Sequence, residues 1–341
     1  MRVVKTIPQV LRKPDNCVGF LFYIKNKEGA ILKYKDWLNE WLENYVKQAS
    51  KVKTYTRYAQ IVNSHLIPRL GDYEMEEISP QLLQQQIVDL RKCGNCVTGE
   101  GLAPTTVNLI VAVIQESLAT AYELELCQQY TADKIKRPRV EEKKVECFSV
   151  PEQKQIEEAV RNDKRPKTVG ILLCLYTGLR IGELLALEWA DIDFEKREIS
   201  VSKTCHDSTD QKGKYCRFVN APKTSTSMRL IPFPKQLLPL LRETKKKNGS
   251  NYVVGDGDKI ISVRSYQRTF ELLLKKHGIP HRGFHALRHT FATRAIECGM
   301  DVKTLSEILG HKNSNITLNR YAHSLMEHKK DMMNRLGKLF I

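Results

Sequence analysis

Four short segments in the second half of the chain concentrate groups that could act on a phosphate: TGLRIGELLALEW (177–189), APKTSTSMRLIPFP (221–234), HALRHTFATRA (285–295) and LGHKNSNITLNRYAH (309–323). Arg180 follows a Gly-Leu turn after an apolar run, and Glu183 opens the next helix three residues on. An arginine held between apolar helices is costly unless it meets an anion. Its fork matches phosphate oxygens bidentately. The other reading of this spacing is an i, i+3 helix pair. Lys223 falls at a turn between two strands, where a hairpin tip could deliver an ammonium into a cleft or leave it exposed. His285, Arg288 and His289 fall at i, i+3 and i+4 and share one helical face. A metalloprotease zinc helix needs HExxH. Ala286 stands at the glutamate position and Arg288 would repel a dication, so no metal is expected there. His311 leaves from the end of an apolar helix, and SNITLNRYAH can form the next, with Tyr321 at its far end. A phenol has a pKa near 10, so only about one in a thousand is ionised at pH 7. As a nucleophile Tyr321 would need activation.

Hydrophobic periodicity supplies the elements that must position these groups. YKDWLNEWLENYVKQA (34–49) sets Trp37, Trp41, Leu42 and Tyr45 at helical spacing. A second amphipathic stretch covers 54–70, a third begins at Ser79-Pro80, and a fourth starts near Pro104. No strand signal occurs between about 33 and 130, which predicts an all-α, four-helix domain over 32–133 after a tail at 1–31. KIKRPRVEEKKVE (134–146), within the span 134–147, reads as a basic linker. A second domain follows over 148–325. Its start is marked by the capping box Ser149-Val-Pro-Glu152 and by the apolar helix TVGILLCLYTG (168–178). Period-two runs at 197–204, 215–220 and 228–234 predict one small antiparallel sheet, so this domain reads as α+β and the whole chain as mostly α. Residues 326–341 form an amphipathic C-terminal tail.

Charge points to the partner. Fifty-five Lys+Arg against 39 Asp+Glu give a net charge of +16. The isoelectric point near 9.4 is that of a nucleic-acid binder. Candidate phosphate contacts lie at helix starts (Lys51, Lys53, Arg57, Thr105, Thr106, Asn108) and in the linker (Lys134, Lys136, Arg137, Arg139). For any one of them a solvated side chain is the plainer reading. Nine cysteines in a long chain do not suggest a disulfide framework. Cys93-Gly-Asn-Cys96 is half of a zinc spacing with no second CxxC, which points to reduced loop thiols. No apolar run approaches the ~18 residues that span a bilayer, and no secretory signal opens the chain, so a cytoplasmic protein is expected.

At the four polar segments the chain resembles the tyrosine recombinases of the phage integrase family. Arg180 in TGLRIGE, Lys223 in PKTSTSMRLIP, His285 and Arg288 in HALRH, His311 in LGH and Tyr321 in RYAH match six active-site positions in order. The resemblance covers roughly residues 33–330, and its finer likeness is to integrases of conjugative transposons. It implies a helical core-binding domain followed by a catalytic domain. It also implies strand exchange through a 3′-phosphotyrosyl intermediate, double-stranded DNA sites as substrate, a tetramer on DNA and a tail passed between protomers. Accessory DNA-bending or excision factors are further partners of such enzymes, and the nucleoid is where they act. In that chemistry Arg180 and Arg288 clamp the phosphorane oxygens, Lys223 is the general acid, His285 accepts the tyrosine proton and His311 donates to a phosphate oxygen. Glu183 orients Arg180, and His289 is structural. Rejoining needs no ATP because the phosphotyrosine keeps the ester bond energy. The chain has no GxxxxGK[ST] loop, and no cofactor is expected. A topoisomerase-like relaxer, or a DNA-binding regulator on the same fold, is the alternative.

Overall fold

The amphipathic periods between residues 33 and 130 become four helices in a computed structural model of the chain. It describes residues 32–141, 146–209, 215–220, 228–255, 257, 259–311, 313–315, 330, 332–338 and 340. These fall into two units, Met1–Glu142 and Lys143–Ile341.

In the first unit, α1 runs Tyr34–Trp41 and continues through a wide turn, Leu42–Val46, into Lys47–Ala49. α2 does the same, with Val52–Ile61 followed by Val62–Leu66 and Ile67–Leu70. α3 is Pro80–Cys93 and α4 is Pro104–Glu123. The Ser79 hydroxyl accepts from Leu82 N at 3.2 Å, and Pro80 occupies the first turn, where no amide is needed. Trp37, Trp41, Tyr34 and Leu38 of α1 are fully buried against α4 residues such as Val107, Ile110 and Ile114. The polar ends of two of these aromatics are met inside: Tyr34 Oη pairs with Ser117 Oγ at 2.8 Å, and Trp37 Nε1 donates to Ser117 O at 3.1 Å. Burial of each such side chain contributes about 1.5–3 kcal/mol or more.

The expected linker is only partly free. Ile135 is buried in the first unit's core beside Ala132. Lys136 N donates to Gln84 Oε1 at 2.8 Å, and Asn108 Nδ2 donates to Pro138 O at 3.0 Å. A single apolar residue and two backbone bonds anchor a segment whose composition reads as solvated.

The second unit opens with the expected capping box: Glu152 N donates to Ser149 Oγ at 3.4 Å and Ser149 N to Glu152 Oε2 at 2.7 Å. α5 is Val150–Arg161, α6 is Val169–Thr177 and α7 is Ile181–Leu185. Every α6 residue except Tyr176 is buried. Among the described residues five strands follow: β1 (Ile192–Asp193), β2 (Glu198–Val201), β3 (Thr204–Thr209), β4 (Tyr215–Asn220) and β5 (Arg229–Pro232). They make two antiparallel sheets, not the one expected: a three-stranded sheet β1-β2-β5 and a separate β3-β4 hairpin. The chain leaves the first sheet after Val201, and Thr204 begins a new pairing with Asn220. α8 (Leu238–Lys247), α9 (Val263–Lys276), α10 (His285–Glu297) and α11 (Val302–Leu309) complete the described elements. α10 packs on α6, and α11 packs on α10 and β5. The unit's entry is tied to α10, because Phe148 N donates to Thr290 Oγ1 at 2.8 Å.

Candidate active site

Two helix ends build the site. α6 stops at Gly178, whose φ of +68° is a left-handed conformation that a side chain would strain. A Cβ there would lie 2.6 Å from Phe291 Cδ1 and 2.8 Å from Leu309 Cδ2. The tight turn sends Arg180 out at the start of α7. α11 stops at Gly310 (φ +63°), where His311 N returns to Ser306 O and Gly310 N to Glu307 O, both at 3.0 Å. This C-cap satisfies two of the carbonyls that a helix end leaves over.

The next three carbonyls each take an arginine. Ile308 O accepts from Arg229 Nε at 2.5 Å, Leu309 O from Arg288 Nη2 at 2.7 Å and Gly310 O from Arg180 Nη2 at 2.9 Å. The negative end of the helix dipole favours three cations at this spot. Arg288 also donates from Nη1 to Gly178 O at 2.7 Å, which links the two helix ends. Its Nη2 lies 2.9 Å from His311 Nε2. A guanidinium can only donate, so His311 Nε2 is the acceptor and the ring is held with its proton on Nδ1.

Glu183 is the anion of the cluster. Its Oε1 accepts from Arg180 Nη1 at 2.8 Å and from Arg229 Nη1 at 3.1 Å. Its Oε2 accepts from Arg180 N and from Arg229 Nη2, each at 2.9 Å. Four donors fill the four lone-pair sites of a carboxylate. Burial alone pushes its pKa up; the Arg229 hydrogen bond and charge, and then Arg180, pull it down further, so that it ends below its ordinary value. Arg288 is only 2 % exposed, whereas the Arg180 side chain keeps 35 %. The Arg180 guanidinium is thus the more accessible of the two, while Arg288 ties the two helix ends together from within.

Of the expected site residues, the structure brings together Arg180, Glu183, Arg288 and His311. His285 begins α10, is exposed and meets the His289 ring edge-on with centroids 4.6 Å apart. His289 is half-buried. Lys223 and Tyr321 lie outside the described residues, as do residues 1–31. Lys51, Lys53, Arg57 and Thr105 are exposed around the helix starts, and Thr106 is half-buried. Lys134, Lys136 and Arg139 are exposed; Arg137 is exposed too but bonds Gln115 of α4. Asn108, another of the expected phosphate contacts, is half-buried and donates from Nδ2 to Pro138 O. Cys96 Sγ lies 3.8 Å from His65 Nδ1, but among the described residues no three His, Cys, Asp or Glu side chains could hold a metal.

The sequence reading missed Arg229. Its signal is strand parity: it alternates with Ile231 and Phe233, both buried, while Leu230 between them is 61 % exposed. The reading also passed over a basic stripe on the exposed face of α9, Arg264, Arg268 and Lys275, spaced at four and seven residues.

Residues 149–328 match the phage integrase family, and residues 33–90 match the SAM-like N-terminal domain of phage integrases. A tyrosine recombinase XerC-like protein of Caldanaerobacter subterraneus subsp. tengcongensis is 33 % identical over 337 residues, covering 90 % of this chain and 83 % of its own. The ICEBs1 integrase of Bacillus subtilis is 27 % identical over 302 residues, covering 85 % and 79 %. The fold is that of the Tn1549 transposon integrase solved with a circular intermediate DNA (TM-score 0.74, 22 % identity, 90 % of this chain and 100 % of that one). It is also similar to a lambda integrase tetramer bound to a Holliday junction (TM-score 0.64, 17 % identity, 86 % and 78 %). Two helix ends that gather arginines around one carboxylate, in a chain that matches the family over more than half its length, identify this protein as a member of the phage integrase family, a tyrosine recombinase that cuts and rejoins DNA at specific sites.

Proposed function

We propose that Tyr321 Oη attacks a scissile phosphorus in double-stranded DNA, forming the Oη–P bond as the P–O5′ bond breaks. The phenolic proton passes to His285, and Lys223 protonates the departing 5′ oxygen. Arg180 and Arg288 neutralise the non-bridging oxygens, each such donor being worth ~10²–10³ in rate. His311 adds a donor on a phosphate oxygen once DNA draws Arg288 from its Nε2 and that nitrogen takes up a proton. Reversal by the 5′ hydroxyl of a partner strand rejoins DNA without ATP. The guanidiniums supply the charge that a metal would otherwise bring, so the reaction as proposed uses no cofactor. The observation that carries this reading is the meeting of Arg180, Arg288 and His311 at the end of α11.

In each unit the exposed basic residues would meet DNA phosphates: those of the helix starts and linker in the first, the α9 stripe in the second. The lambda neighbour is a tetramer on a junction, and we propose that this chain also works as a tetramer. Exposed apolar side chains of the tail, Met332, Met333, Leu336 and Phe340, would be covered by another copy. The transposon relatives, among them a transposase from Tn916 of Enterococcus faecalis (32 % identical over 185 residues, 49 % of this chain), favour a mobile-element integrase acting on cytoplasmic, nucleoid DNA, with an accessory factor setting its direction.

A nicked suicide duplex carrying the element end tests the reading on a denaturing gel. A covalent adduct is expected, and Tyr321→Phe should abolish it. Tight binding with no adduct from the unaltered chain would leave a DNA-binding regulator in place of the enzyme.

A further inference from the structure

Arg229 lies on the inward face of β5, opposite Val201 of β2 and in step with Ile231. Its side chain is 7 % exposed, so it is built into the interior and does not face solvent. Three of its bonds lead to groups that support the proposed site. Nη1 and Nη2 close on the two oxygens of Glu183, the carboxylate that also holds the backbone and guanidinium of Arg180. Nε donates to Ile308 O, two residues before the turn from which His311 departs. Gly310 packs directly against it: a Cβ there would come within 3.0 Å of Arg229 Nη1. Chemically, Arg229 is the counter-ion that completes Glu183, and mechanically it joins the third sheet strand to the end of α11.

We infer that Arg229 is a positioning residue for strand cleavage. It fixes the Glu183 carboxylate so that Arg180 presents its guanidinium in one orientation, and it pins the end of α11 so that His311 leaves at a set angle. The inference rests on the proposed reading of Arg180 and His311 as phosphate-binding groups. Without Arg229, two of the four acceptor sites on Glu183 lose their donors. The carboxylate can then turn, and Arg180 turns with it. A displacement of about 1 Å at such a group costs on the order of a hundredfold in rate. Lysine at 229 keeps the charge, but it cannot reach both Glu183 oxygens and Ile308 O from one planar fork.

The test uses the full chain, as wild type, Arg229→Lys and Arg229→Met. Folding is followed by thermal melting, duplex affinity by titration, and single-turnover adduct formation on the suicide duplex at saturating DNA. Both variants should bind DNA within about threefold of wild type. Arg229→Met should form adduct about a hundredfold more slowly per folded molecule, and Arg229→Lys should fall between the two. A folded variant that cleaves within threefold of wild type overturns the inference. So does a loss matched by an equal loss of affinity or of folded protein, and so does failure of both variants to fold, since each marks a purely structural arginine. If wild type itself forms no adduct, the proposed function fails first, and the two failures are told apart.

Discussion

Glu183→Gln removes one unit of negative charge and should loosen the whole cluster. Glutamine offers one acceptor oxygen and one amide donor where the carboxylate had two acceptors. Each Glu183 oxygen takes two N–H bonds, so whichever oxygen is replaced, two bonds go and an NH2 faces donors. Hydrogen bonds to charged groups contribute about 1.5–3 kcal/mol each. Removing one member of a buried ion pair costs about 3–5 kcal/mol, and two lost bonds give about 3–6 kcal/mol, which overlaps it. At 1.36 kcal/mol per decade, backbone amides of α11 and β5 should exchange with deuterium about two hundred- to five thousandfold faster, up to the limit set by global unfolding. The assay is hydrogen exchange read by mass spectrometry, with peptides from α3 as the internal control. If α11 exchanges within threefold of wild type while α3 is unchanged, Glu183 does not hold the helix end and the reasoning about the arginines is wrong.

Two further outcomes follow from the same geometry. Gly178→Ala meets left-handed strain of about 1 kcal/mol and an overpacking cost of about 1–3 kcal/mol against Phe291 and Leu309. It should lower the melting temperature by about 5–10 °C and slow adduct formation, because Gly178 O holds Arg288. The Glu183 carboxyl has a folded pKa below its ordinary 4.5, so its contribution is fully present above that value and is lost as pH falls through the lower, folded one. Urea unfolding at pH 7, 5, 4 and 3 should therefore show the gap between wild type and Glu183→Gln constant at the first two and narrowing at the last two.

Much of this was legible in the chain because it is encoded locally. The serine caps at Ser79 and Ser149 need only residues three apart, and α6 declares itself by an unbroken apolar run. The Arg180–Glu183 pair was visible at i, i+3, but as one of two readings; the structure contains the pair and leaves the Arg180 side chain 35 % exposed. Arg229 was hidden because its carboxylate lies 46 residues away and its strand, MRLIPFP, has apolar residues on both faces. The sheet was merged into one because β1 has two residues and β3, TCHDST, has no apolar alternation. Asn108 finds Pro138 O 30 residues on, and Ile135 is buried in the first unit's core, neither of which composition can see.

The acceptors at 308, 309 and 310 are peptide oxygens, so no side-chain replacement there can delete them. What can is a change in residue count. One residue added to or removed from α11 turns its last carbonyls by about 100°, and each guanidinium would then face the wrong atom. Such a centre tolerates drift in spelling but not in length, and insertions between Leu305 and Gly310 should be far more damaging than any conservative exchange in the same stretch.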